Sequence, residues 1–203
     1  MLKYMLSCKT GDDVYKEDPT VTRLERLTAK MCGKDDALFC ASGTMSNQLA
    51  IRALLKSPPY SVVMDAKSHI NTYEQCGVAF HTGAQTIAIR TESSLSKELI
   101  EKYANLIHDD HFAPTELIVL ENTLNGDIMP LSEIRSIAKL GLPLHLDGAR
   151  LWNALMHKNN QFSLQEWCDP FASISLCFSK GLGAPVGSIL VGFKHFNFKG
   201  PVV

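Results

Sequence analysis

Short apolar runs that end on polar or small residues constrain this chain most: ALFCAS, YSVVMDA, TIAIR, ELIVLENT, LPLHLDGAR, SISLCFSK and GSILVGF. Each is strand-length and bounded by turn residues. Helical patterns separate most of them. Val21, Leu24, Leu27 and Met31 recur at helical spacing from Thr20 to Met31, between Pro19 and Gly33. SGTMSNQLAIRALLK, SKELIEKYANLIHDD and LSEIRSIAKLG, the last capped by Gly141, read as further helices. Residues 1 to 10 read as a helix end broken by Gly11, and GDDVYKEDPT reads as a polar turn. Strand–helix alternation predicts an α/β domain with a mainly parallel central sheet flanked by helices, and active-site groups at the strand ends. The 203 residues suffice for one sizeable core, and no internal repeat divides them.

Charge excludes several classes of partner. A net charge of -1 offers no broad attraction for nucleic acid or an anionic membrane. No apolar run reaches spanning length, and MLKYMLSCKTGDDVY lacks the apolar core and cleavage site of a signal peptide. The 6 cysteines include no CxxC pair. They are expected to be free, largely buried thiols in a reducing, cytoplasmic setting. His69, His145 and Asp147 lack metal-ligand spacing, so no metal is expected.

Candidate chemistry sits just past the strands. Ser42, Gly43 and Thr44 lie between a strand and a helix, where backbone amides favour an anion; simple helix capping is the alternative. Asp147 closes an apolar run and could anchor a cationic ring nitrogen, with Gly148 allowing a flat ligand close and Arg150 supporting it. The competing role is a cap for the next helix. Lys180 lies in CFSKGLGAPVGS beside Ser179, among glycines. Partial burial there would make its amine nucleophilic; an ordinary solvated lysine is the alternative. His69 in DAKSHINTYE could stack on a flat ring or take a proton, or simply stand near a helix start; Tyr73 and Glu74 have weaker claims. His81, His108, His111 and His157 read as surface or structural. An anion cradle, a strand-end carboxylate and a lysine amine together meet the needs of pyridoxal 5′-phosphate.

GDDVYKEDPTVTRLERLTAKMCGKDDALFCASGTMSNQLA, DAKSHINTYE, IVLENTLNGDIMPLSEI, LHLDGARLWNA and CFSKGLGAPVGSILVG follow one another over residues 11 to 192. In that order they resemble the low-specificity L-threonine aldolases, within the β-eliminating lyase and threonine aldolase group of fold-type I pyridoxal phosphate enzymes. The resemblance implies the large domain of that fold. It implies a cytoplasmic lyase of amino-acid metabolism that cleaves L-threonine, L-allo-threonine and related β-hydroxy-α-amino acids to glycine and an aldehyde, and assembles as dimers or tetramers. It makes Lys180 the lysine that binds the cofactor covalently, Asp147 the partner of the pyridine nitrogen and His69 the residue stacked on the ring. Arg150 and Ser179 stand beside the cofactor, and Ser42, Gly43 and Thr44 form its phosphate turn. Glu121, Asn122 and Thr123 match a segment next to the substrate.

This chain departs from the pattern in three ways. Leu124 stands where many relatives carry a histidine that approaches the substrate hydroxyl, which leaves the catalytic base open. The family's leading RSDTVT segment has no counterpart before Met1, and its C-terminal small domain has none after Val203. Residues 1–203 therefore read as an incomplete cofactor-binding large domain. On that reading negligible threonine cleavage and poor solubility are expected. Other pyridoxal phosphate reactions, such as β-elimination or transamination, and an inactive cofactor-binding fragment are the alternatives.

Overall fold

A computed structural model describes residues 1–107 and 109–192. His108 and residues 193–203, including the end of GSILVGF, lie outside the described residues. In chain order the elements are α1 (Leu2–Ser7), α2 (Pro19–Cys32), β1 (Asp36–Cys40), α3 (Gly43–Leu54), β2 (Ser61–Asp65), α4 (His69–Thr72), α5 (Gly77–Thr82) and β3 (Gln85–Ile89). Then come α6 (Lys97–Tyr103), β4 (Thr115–Glu121), α7 (Leu131–Ala138), β5 (Leu144–Gly148), α8 (Leu151–Leu155), α9 (Leu164–Cys168), β6 (Ser173–Cys177) and β7 (Ser188–Gly192).

The strands form one 7-stranded sheet in the order β1-β7-β6-β5-β4-β2-β3. Pairings from β6 through β5, β4 and β2 to β3 are parallel. β7 runs antiparallel to both β6 and β1, so β1 points the same way as the parallel set. The expected mainly parallel sheet is therefore present, with one reversed strand. The carboxyl ends of β1, β2, β4, β5 and β6 share one edge.

Alternation along the strands sorts two faces. Ile118, Leu120, Leu144, Leu146, Ile174 and Leu176 pack with Ile134 and Ile137 of α7 in the larger core. Leu117 and Val119 pack on the other face with Val62, Met64 and Ile51 of α3. Over β5 and β6 that second face turns polar. Ser46, Asn47 and Gln48 of α3 are buried there, as are His145, Asp147, Ser173 and Ser175 on the sheet.

Local chemistry sets the helix ends. Asp18 caps α2 by accepting hydrogen bonds from the amides of Thr20 and Val21, and Gly33 ends it at φ 67. The helix expected from SKELIEKYANLIHDD is shorter than its pattern, because α6 stops at Tyr103. Asn105 receives the reason: its backbone amide donates to Thr115 Oγ1 at 2.9 Å and its side chain to the Ala113 carbonyl at 2.8 Å. Those bonds to the start of β4 replace the helical ones. Among the described residues no helix is long and apolar enough to cross a membrane. The cysteines are free; Cys32, Cys40, Cys168 and Cys177 are buried, and Cys8 and Cys76 are exposed.

Candidate active site at the carboxyl edge of the sheet

The turn between β1 and α3 carries Ser42, Gly43 and Thr44. Ser42 is the α3 N-cap, its Oγ accepting from the Met45 amide at 3.1 Å. That is the capping role, and it leaves the hydroxyl proton available to a ligand. A Cβ on Gly43 would come within 3.0 Å of Cys177 Sγ, and Ser46 Oγ meets Ser188 Oγ at 3.0 Å. These contacts place the start of α3 against the ends of β6 and β7. The loop joining those two strands holds Ser179 and Lys180. Both are exposed, which corrects the expected partial burial of Lys180. The reason is local: the chain leaves β6, turns with a bond from the Gly183 amide to the Lys180 carbonyl at 3.0 Å, and returns as β7 outside the packed layers.

Asp147 lies in β5 and is buried, beside Glu121 at the end of β4 in the sheet register. It does not cap the next helix: Arg150 occupies the α8 N-cap position, and Asp147 Oδ1 accepts from the Ala149 amide at 3.0 Å. The other oxygen, Oδ2, accepts from Asn47 Nδ2 at 2.9 Å. The same amide nitrogen donates to Glu74 Oε1 at 3.0 Å. Glu74 also receives Gln48 Nε2 at 2.6 Å and His69 Nδ1 at 3.0 Å. Behind Asn47, its Oδ1 meets His145 Nε2 at 3.1 Å, and His145 Nδ1 meets Ser173 Oγ at 2.7 Å. His145 is fully buried, and desolvation pushes its pKa down to about 3, so the ring is neutral. An amide oxygen can only accept, so His145 carries its proton on Nε2 and Ser173 donates to Nδ1.

His69 opens α4, and its side chain remains 40% exposed. Its backbone amide donates to Glu121 Oε2 at 2.6 Å. Burial, and then the nearby Asp147 carboxylate, push the Glu121 pKa up to about 7, partly opposed by that amide, by the His69 charge and by Arg150. A cleft of about 360 Å³ opens here, lined by Lys67, His69, Tyr73, Glu121, Asn125, Gly126 and Arg150. Asn122 and Thr123 are buried beyond β4. The Asn122 side chain clips its own loop, donating to the Met129 carbonyl at 3.3 Å and accepting from the Met129 amide at 3.2 Å. His69, Glu74 and Asp147 bring ligand-type atoms within 4.8 Å of one another, but hydrogen bonds from Asn47 already engage both carboxylates.

Gly148 is required by close packing. A Cβ there would sit 2.9 Å from the Ser175 carbonyl on the neighbouring strand. Gly148→Ala is expected to cost about 1–3 kcal/mol, read as a lower urea midpoint with an unchanged slope.

The β-eliminating lyase family model matches residues 1–197, nearly the whole chain. The chain belongs to the β-eliminating lyase family. Among members of this family, it is 45% identical over 194 residues to a low-specificity L-threonine aldolase of Candida albicans, covering 92% of this chain and 51% of that protein. It is 43% identical over 203 residues to a low-specificity L-threonine aldolase of Saccharomyces cerevisiae, covering 97% of this chain and 52% of that protein. The Leishmania major threonine aldolase structure matches its fold with a TM-score of 0.81 at 24% identity, over 94% of this chain and 56% of that one. The chain thus spans about half the length of the curated relatives it matches. Its mainly parallel sheet flanked by helices matches the fold-type I architecture. Its sequence motifs did not single out Asn47, and they named Glu74 and His145 only in passing. One signal was legible: Asn47 lies on the same helical stripe as Ala50, Ile51 and Leu54, a polar residue on an apolar face.

Proposed function

We propose that this chain is the pyridoxal 5′-phosphate-binding core of a threonine aldolase, acting on L-threonine, L-allo-threonine and related β-hydroxy-α-amino acids to give glycine and an aldehyde. The observation that carries this reading is the gathering of an amine, a helix N-terminus and two adjacent strand-end carboxylates at one sheet edge. The cofactor fits the charge pattern. Asp147 and Glu121 stand side by side in a buried setting that already forces Glu121 toward its neutral form, so a cationic ring nitrogen would relieve the strain.

Asp147 would hold that nitrogen, and the α3 N-terminus with Ser42, Gly43 and Thr44 would hold the phosphate. Lys180, beside Ser179, would attach the cofactor, with His69 over the ring and Arg150 next to it. Bound there, the cofactor supplies a sink for the electron pair released when the substrate Cα–Cβ bond breaks. Glu121, with a pKa of about 7, can hold or release a proton at the cleft wall at neutral pH. With leucine at position 124, this carboxyl is a proton-carrying group on the cleft wall beside His69. Asn122 and Thr123 shape the adjacent loop. Self-association is part of the proposal, supported by exposed Tyr73, Phe80, Leu182 and Val186. A cytoplasmic setting is also part of it, supported by the unpaired thiols.

The test is the identity of the products. Purified chain, given pyridoxal phosphate and L-threonine, is expected to take up the cofactor, and what slight cleavage it performs should release glycine and acetaldehyde in equal amounts. A keto acid with ammonia, or transfer of the amino group, would replace the aldol reading with another reaction of the same cofactor. No uptake of the cofactor would remove the reading altogether.

A further inference from the structure

We infer that Asn47 is a positioning residue that links Asp147 to His69 through one buried amide, so that the groups proposed to meet the ring nitrogen and the ring face are set together. The inference rests on the pyridoxal phosphate reading above. Its structural basis is separate from that reading.

Asn47 is 1% exposed, and its amide nitrogen and oxygen are both hydrogen-bonded. One amide hydrogen goes to Asp147 Oδ2 and the other to Glu74 Oε1. Glu74, itself 4% exposed, holds His69 through Nδ1 on that same oxygen. Two carboxylates this close repel unless a donor sits between them, and Asn47 is that donor. The amide is also tied from behind. His145 presents an N–H to Asn47 Oδ1, and Ser173 holds the opposite face of the ring. A flipped amide would point its oxygen at two carboxylates and its nitrogen at an N–H. The two carboxylates therefore dictate which way Asn47 faces, Asn47 holds them on a shared donor, and its oxygen sets the tautomer of the buried imidazole behind it.

A packing role alone makes a different prediction from a positioning role. Asn47→Asp keeps the shape and the bond to His145, but removes the shared donor. At most one of Asp147 and Glu74 can then receive a hydrogen bond from residue 47, and only if that residue is protonated. The experiment combines ¹⁵N NMR of the histidine rings with titration of pyridoxal phosphate followed by its absorbance on binding. In the wild-type chain, neutral His69 is expected as the Nδ1–H tautomer and His145 as the Nε2–H tautomer. In Asn47→Asp, His145 should be unchanged while His69 loses its fixed tautomer. Affinity for pyridoxal phosphate should fall at least about tenfold, the scale of one hydrogen bond to a charged group. Tyr60→Phe removes a buried hydrogen bond, to the Thr82 carbonyl at 2.7 Å, at the opposite edge of the sheet and should change neither signal. A His69 tautomer that survives Asn47→Asp, or is lost equally in Tyr60→Phe, overturns the linkage. If Asn47→Asp does not fold, the wild-type chain decides: both Asn47 amide protons should exchange slowly, and rapid exchange overturns the inference. A wild-type chain with the expected tautomers that takes up no pyridoxal phosphate rejects the cofactor reading and leaves the Asn47 linkage standing.

Discussion

Lys180→Ala is expected to eliminate covalent capture of pyridoxal phosphate. Borohydride reduction of the wild-type chain with the cofactor should fix label on the peptide containing Lys180, and in the variant labelling should drop to background. Any threonine cleavage should fall by about 10⁴-fold or more, as when a nucleophile is removed from a set of residues that act as a unit. The fold should be unaffected, because Lys180 is exposed and its loop is held by backbone bonds and by the paired ends of β6 and β7. A label found on another lysine of the wild-type chain would transfer the role and sink this assignment. Lys180→Arg separates charge from chemistry. It keeps a cation on the loop but supplies no amine for attachment, so it should fail in the same way.

The second large effect is on acid stability, through His145. Its folded pKa is about 3 against an ordinary 6.5. Between those values the unfolded chain binds a proton that the native state refuses. The stability His145 contributes is thus complete above pH 6.5 and is lost as pH falls toward 3, by about 1.4 kcal/mol per pH unit. Glu121 has the opposite sign. Its folded pKa of about 7 exceeds the ordinary 4.5, so its contribution is lost as pH rises through that window. The two oppose each other from 4.5 to 6.5, and below 4.5 His145 acts without that offset. Urea titrations should therefore show the steepest His145-dependent loss between pH 4.5 and 3. His145→Gln should flatten that slope while lowering stability at pH 7. An unchanged slope would mean that His145 is protonated in the folded protein.

The seven strands were legible because each carries its own signal: a short apolar run closed by a turn residue or a charge. The direction of β7 was less open to reading, since SISLCFSK and GSILVGF are separated by a loop without a helix, and only the register shows that the chain returns beside β6. α6 was overestimated because its helical pattern continues past Tyr103, where Asn105 finds partners near β4 that no local pattern announces. The site divides along similar lines. Lys180, Asp147 and the SGT turn stood out through glycine context and strand-end position. The web beneath them did not, because it is made by contacts across the chain: Asn47 meets Asp147 across 100 positions and Glu74 across 27. A polar side chain on an apolar helical stripe says that a partner exists without saying which.

The sheet order also bears on how the protein is made. Among the described residues β1, near the amino end, pairs with the sheet only through β7, the last described strand. During synthesis α2, β1 and the start of α3 emerge early, yet the strand that pairs with β1 does not exist until residues 188–192 have left the ribosome. Until then the edge of β1 has no pairing partner, and the long separation makes that closure slow. The same event brings the SGT turn against the loop that bears Lys180. Competence to take up a cofactor therefore arrives as a late step of folding, and a nascent chain halted before β7 should already contain most of the sheet while being unable to capture the ligand.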